Sequence, residues 1–343
     1  MAVPPRASGG SLICGPSLAR AMRSLAVAAV LAAVLLAPLA PVARASDWED
    51  GGRTLDVDAR TDGFEIRSER SSGEGHDEIR LRLEGDAVRF RFELRREAAA
   101  VDADAELRLE LERVLEFRDE NGDGAFQDGE NVRAEHTPSD LTLLSVDAEN
   151  VSAAGVPGIA VTATYRFDRA PASGMTFRAT AFGDLTAFQG IVLHPVEVKA
   201  DILFADFPYT EADTRPGIAF RVRVASTSPP NVTADGVSFD VGDLAGTFRW
   251  KDTATADGNE TRVGATVSPG SGGAGEQDLG VVFAYARAAE IVHDPTFGFL
   301  QTVAEAVGRV LGNPLFYAIG GAVAVAVFAG PAAVRRGRKA KRA

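Results

Sequence analysis

Between residues 53 and 290 apolar and polar side chains alternate with a period of two. Ile79, Leu81 and Leu83 alternate with Arg80, Arg82 and Glu84, Gly85-Asp86 offers a turn, and Val88, Phe90, Phe92 and Leu94 resume the alternation. Successive side chains of a strand point to opposite faces, so this pattern predicts a β-hairpin with one buried and one charged face. Ile159, Val161, Ala163 and Tyr165 predict another strand, joined through Pro171–Gly174 to a partner carrying Met175 and Phe177. Val196, Val198, Ala200, Ile202 and Phe204 predict a third, answered across the turn-rich PYTEADTRPG by Ile218, Phe220, Val222 and Val224. Phe239, Phe248 and Trp250, then Val281, Phe283 and Tyr285, continue the pattern. The expected class is all-β, an antiparallel β-sandwich of one or two pairs of sheets. A composition shift near 184–195 marks a candidate boundary between two halves. The polar, Gly-rich stretches 70–77 and 266–277 read as loops.

Two apolar runs break the period. Residues 25–40, LAVAAVLAAVLLAPLA, follow Arg20 and Arg23 and precede Ala43-Arg44-Ala45. A charged start, an apolar middle and a small-x-small end predict an export signal, 1–45, cleaved after Ala45. Translation from Met22 would leave that signal complete. Residues 315–334 hold 20 positions without charge, about 30 Å as a helix and enough to cross a bilayer core. A transmembrane helix is therefore expected over 314–334, followed by the basic tail RRGRKAKRA, 335–343. Basic residues stay cytoplasmic, so the β-rich part, 46–293, becomes an ectodomain outside a cell membrane. Ala318, Ala322, Ala326 and Gly330 place small residues on one helix face, which suits self-association in the membrane. In 294–313, Phe299, Val303, Ala306, Val307 and Val310 follow helical spacing before Gly312-Asn313-Pro314, which predicts a juxtamembrane amphipathic helix.

Charge sharpens that topology. The 343-residue chain has a net charge of −12, but residues 46–334 hold all 48 acidic residues against 26 basic ones. An outer part this acidic argues against nucleic acid as a partner, because phosphate binding needs clustered Lys and Arg. The single cysteine, Cys14, lies in the expected signal, so the mature ectodomain is expected to hold no disulfide and no thiolate metal site.

The sharpest local motif is DENGDGAFQDGE, residues 119–130. Numbered as a loop of twelve, it puts Asp119 at position 1, Asn121 at 3, Asp123 at 5, Gly124 at 6 and Glu130 at 12. Alternate side chains of a tight loop converge on one cation, and Gly124 permits the sharp turn. The segment resembles the EF-hand calcium loop. That resemblance implies calcium as the bound ion, with Asp119, Asn121, Asp123, the Ala125 carbonyl, Gln127 and Glu130 as ligands, and Phe126 as the apolar anchor. An EF-hand has a helix on each side. Here the upstream ELRLELERVLEF fits either a strand or a helix, and the downstream NVRAEHTPSD carries Pro138 and no apolar stripe. A strand–loop–strand setting is expected, and with it a structural ion rather than a sensor.

Other chemistry is sparse. His76, His136, His194 and His293 form no close pair, and there is no nucleophile elbow, P-loop or dinucleotide fingerprint. Asn150, Asn231 and Asn259 head glycosylation triplets. Residues 201–213, DILFADFPYTEAD, set Phe207, Pro208 and Tyr209 among acids, either as a recognition surface or as a packed turn. The whole organisation resembles that of uncharacterised archaeal surface proteins with a signal, a β ectodomain and a C-terminal membrane helix. The expected function is a non-enzymatic, calcium-binding surface module with a structural, adhesive or partner-binding role toward a protein or envelope partner. The alternative is an anchored hydrolase of envelope glycans, which would need a cleft where carboxylates converge.

Overall fold

The computed structural model describes residues 48–50, 53–72, 75–98, 101–226, 228–241, 244–270 and 275–301. The expected signal, the membrane span and the basic tail lie outside them. The strands, in chain order, are β1 (Trp48–Asp50), β2 (Arg53–Arg60), β3 (Gly63–Ser72), β4 (Gly75–Glu84), β5 (Arg89–Ala98), β6 (Val101–Arg118), β7 (Asn131–His136), β8 (Leu141–Ala153), β9 (Val156–Phe167), β10 (Ala170–Phe182), β11 (Thr186–Phe188) and β12 (Ile191–Leu193). They continue as β13 (Glu197–Ala205), β14 (Arg215–Val224), β15 (Asn231–Thr233), β16 (Gly236–Val241), β17 (Leu244–Arg249), β18 (Thr253–Ala256), β19 (Asn259–Arg262), β20 (Gly264–Pro269), β21 (Gln277–Ala284), β22 (Glu290–His293) and β23 (Thr296–Gln301). No α-helix occurs among the described residues, so none there could cross a membrane as a helix.

All strand pairs are antiparallel. One large sheet runs β1-β2-β3-β4-β5-β6-β14-β21-β20, with β7 beside β6. The other runs β15-β16-β17-β23-β13-β10-β9-β8, with β18, β19 and β22 attached. The inward side chains of both sheets form one core. Phe90 of β5 meets Phe177 of β10 edge-on at 5.3 Å between ring centres, and Phe220 of β14 meets Phe177 at 6.3 Å. The alternation is what makes this possible. Ile79, Leu81 and Leu83 face inward, while Arg80 and Arg82 face out and pair with Glu78 and Glu65. Each such surface pair contributes little on its own.

The expected hairpin of residues 79–94 is present as β4–β5. Three other expectations need correction. The third and fourth predicted strands, β13 and β14, do not pair. β13 lies between β10 and β23 and β22, while β14 lies between β6 and β21 in the opposite sheet. Their inward patterns matched because both sheets face the same core, not because they are neighbours. Residues 184–195 form the small hairpin β11–β12, and β10 and β13 on either side of it pair within one sheet, so the expected subdivision is an excursion from that sheet. The helix expected over 294–313 does not begin at its start, because residues 296–301 are β23. Phe297 and Phe299 alternate with Gly298 and are fully buried. The remainder of that stretch lies outside the described residues.

The core also holds a buried polar trio. His293 is fully buried, its Nδ1 accepts from the Tyr285 hydroxyl at 3.1 Å, and its Nε2 donates to the Lys251 carbonyl at 3.0 Å. Both contacts suit the neutral ring. Burial holds the His293 pKa down at about 4, and Tyr285 is raised well above its ordinary value for the same reason. The unfolded chain takes up this proton near pH 6.5 and the folded one not until about pH 4. Stability present above pH 6.5 is therefore lost as the pH falls toward 4, by about 3 kcal/mol from this group. Urea midpoints measured between pH 7.5 and 4.5 are expected to fall steeply in the natural protein. His293→Gln is expected to start lower and fall less over that window.

Candidate metal-binding loop

Residues 119–130 connect β6 to β7, so both flanks are strands. The upstream ambiguity has a structural origin. Ala219 of β14 faces Arg113 of β6, but its neighbour Phe220 faces Leu111, so Glu112 is an extra residue in a β-bulge. Before the bulge Leu107, Leu109 and Leu111 face the main core. After it the parity changes: Val114 faces that core, and Leu115 and Phe117 face out. A bulge in a strand thus produced the spacing that resembled a helix.

The outward residues need cover, and the loop supplies it. Phe126 packs edge-on against Phe117 at 5.2 Å, and with Leu115, Ala219 and Ala284 it forms a second small core on the outer face. Val132 and Val282 pack against this cluster. The loop backbone also rests on β20. Thr266 donates to the Phe126 carbonyl at 2.8 Å, and a Cβ at Gly264 would stand 2.1 Å from the Gly124 oxygen. Glycine at 264 is therefore the residue that lets the two backbones meet.

Within the loop the acidic side chains shape the turn. Asp119 accepts from the amides of Gly122 at 2.8 Å and Gly124 at 3.0 Å. Asn121 accepts from the amide of Asp123 at 2.9 Å, and Asp123 from that of Ala125 at 2.8 Å. Glu130 reaches back to the amide of Gln127 at 2.9 Å. Gly124, with φ of 82°, occupies the left-handed region that the sharp turn requires.

The donor set fits a hard cation by chemistry. It is all oxygen, each Asp119 oxygen accepts a single amide and keeps a lone pair, and the buried Oε1 of Glu130 has no hydrogen-bond partner. The acids do not converge on one point, however. Among the described residues no three His, Cys, Asp or Glu side chains gather as a metal-binding group. Asp123 instead accepts from the side-chain amides of Asn121 and Gln127. A protein cation stands at position 1, where Arg215 lies 3.4 Å from Asp119.

Two residues that the sequence did not flag fix the neighbouring loop, 206–214. Glu116 is fully buried and accepts from the Thr210 amide at 2.8 Å, the Thr210 hydroxyl at 2.6 Å, the Glu211 amide at 3.1 Å and the Thr214 hydroxyl. Burial pushes its pKa up, but these bonds outweigh burial and hold it below the usual carboxylate range. Arg287 lies over the Tyr209 ring at 3.6 Å. Phe207 is buried against Phe167 and Phe204, and Tyr209 exchanges hydrogen bonds with the backbone of Ala288. The aromatic segment 207–209 is thus a packed turn. Nearby His136 is buried with neither ring nitrogen hydrogen-bonded, and burial lowers its pKa.

The outer face of the first sheet carries a groove of about 330 Å³ lined by Glu78, Arg80, Glu93, Arg95, Asp104 and Glu106. Burial raises the pKa values of Glu78 and Glu106, but arginines outweigh it: Arg80 and Arg67 at Glu78, Arg108 and Arg91 at Glu106. Both therefore lie below their ordinary range, opposite to what a glycosidase general acid requires. Asn150, Asn231 and Asn259 are all exposed. No protein-family model matches the chain, and no curated protein matches it.

Proposed function

We propose that this chain is a membrane-anchored cell-surface protein whose β-sandwich ectodomain binds calcium at residues 119–130 and serves a structural, adhesive or partner-binding role. The observation that carries the reading is the loop itself. Oxygen donors recur at Asp119, Asn121, Asp123 and Glu130 on a turn framed by two strands and pinned by Phe126. In this reading the ion replaces Arg215 as the charge facing Asp119 and gathers the carboxylates around itself, so it stiffens a connection rather than opening a groove. The signal, the single span and the basic tail set the topology, and the small-residue face of the span allows self-association.

Calcium is expected to raise the melting temperature. At 10 mM ion and a dissociation constant of about 10⁻⁴–10⁻³ M, the gain is about 1.4–2.7 kcal/mol. The full chain in detergent, melted with 10 mM calcium and with chelator, reads this directly. Glu130→Gln should remove most of the shift. No calcium heat in calorimetry together with an unmoved melting temperature would overturn the assignment.

A further inference from the structure

We propose that the hairpin β11–β12 rests on the outer surface of the membrane, forming a second contact beside the C-terminal anchor. This inference depends on the anchor reading above. Register places the two features together. Glu197 of β13 faces Gly298 of β23, and the Phe299 amide donates to the Val196 carbonyl at 3.1 Å. The Glu197 amide donates to the His194 carbonyl at 2.9 Å, so a turn joins the hairpin to the start of β13, at the end of the sheet where β23 runs on past Gly298 to Gln301. Thirteen residues, 302–314, separate Gln301 from the uncharged run. They span about 20 Å as a helix and at most about 45 Å extended. The tether keeps this end of the domain within about 45 Å of the bilayer.

The opposite end carries residues 119–130. β23 runs along β5 in the same direction, with Phe297 beside Phe90 and Phe299 beside Phe92. Gln301 therefore points toward the β5–β6 turn, while β6 runs away from that turn to Arg118. From Leu107 to Arg118 that is about 35 Å of strand.

The hairpin has the chemistry of a surface that meets lipid. Residues 185–193, LTAFQGIVL, hold no charge in a domain rich in acids. Val192 is 53% exposed, and Phe188 and Ile191 are half-buried. The base is firmly held: Phe188 packs on Phe182 at 5.1 Å, Thr186 donates to the Ala153 carbonyl at 3.0 Å, and Leu193 is fully buried. Gln189 and Gly190, with φ of 50° and 79°, form the tight turn at its tip. Acidic surface near headgroups is repelled and costs dehydration, whereas an uncharged apolar tip gains by entering the interface. One valine and its neighbours bind lipid weakly alone. The anchor raises their effective concentration at the bilayer, so weak contact is sufficient.

The test uses the mature chain, residues 46–343, which holds no natural cysteine, reconstituted into phosphatidylcholine vesicles. An environment-sensitive dye is attached at Val192→Cys, or at Ala212→Cys in the exposed loop at the opposite end. Brominated phosphatidylcholine is expected to quench the dye at 192 several-fold more than at 212. Failure of the chain to float with the vesicles after an alkaline wash would overturn the anchor reading and this inference together. Flotation with equal, low quenching at both positions would overturn the inference alone. A dye at 192 shielded from aqueous iodide but untouched by brominated lipid would also overturn it, because the cover would then be protein.

Discussion

Glu116→Ala is expected to destabilise the domain by about 3–5 kcal/mol and to release residues 206–214 first. The side chain is fully buried, and its two oxygens are the acceptors for the Thr210 and Glu211 amides and the Thr210 and Thr214 hydroxyls. The hydroxyls can turn to other acceptors, but the two backbone amides cannot. Each donor left buried without an acceptor costs about 1–3 kcal/mol, and the missing side chain adds a cavity. Glu116→Gln keeps the volume and one acceptor oxygen but turns an amide nitrogen toward these donors, so it should recover only part of the loss. Calorimetry gives the magnitude, and hydrogen exchange gives the location. Faster exchange at Thr210 and Glu211 should exceed any change in β9 or β10. Because bonding holds the folded carboxyl low, its contribution is present above the ordinary Glu pKa and is lost as the pH falls through the lower folded value. The Glu116→Ala variant should lose less on acidification for that reason. Unchanged exchange at 210 and 211 would show that the loop is held by Phe207 and Arg287 rather than by this carboxylate.

Glu116 also shows where the sequence stops being readable. Alternation identified the inward residues of β4 and β5, because every second side chain obeys one parity within each strand, odd over 79–83 and even over 88–94. In β6 the extra residue at Glu112 changes the parity midway, so a glutamate that simple alternation places outside is turned inside. Local spacing delimited the loop 119–130, since the composition that makes a tight turn lies within the turn itself. The residues that seat it are distant in sequence: Thr266 bonds Phe126 across 140 positions, and Gly264 admits its backbone. No short-range pattern encodes such partners. The same limit explains why β13 and β14, joined by a turn-rich link, read as a hairpin although they lie in different sheets. At β23 the helical spacing read through Val303 and Val310 was extended back over Phe299, where two buried phenylalanines at a period of two decide for a strand.

Phe126→Ala is expected to cost about 3 kcal/mol, the low end for removing a buried phenylalanine, because the small outer core can partly collapse. In a domain of this size that is a fall of roughly 6–12 °C in melting temperature. Phe126 is 5% exposed and is the loop's only member of the cluster with Leu115, Phe117, Ala219 and Ala284. Without it the loop remains tied to the sheet by the Thr266 hydroxyl and the flanking strands. Those ties leave Asp119 and Glu130 free to drift, so under the calcium reading the ion must order the loop itself. The calcium-dependent rise in melting temperature should therefore shrink along with the baseline stability. Phe126→Leu separates the two effects. It keeps most of the apolar volume and should cost less than about 1.5 kcal/mol, with the calcium response nearly intact. A Phe126→Ala protein that loses stability yet keeps the full calcium shift would show that the strands alone pre-form the ligand geometry. In that case the outer core would serve to protect the sheet face rather than to hold the ion.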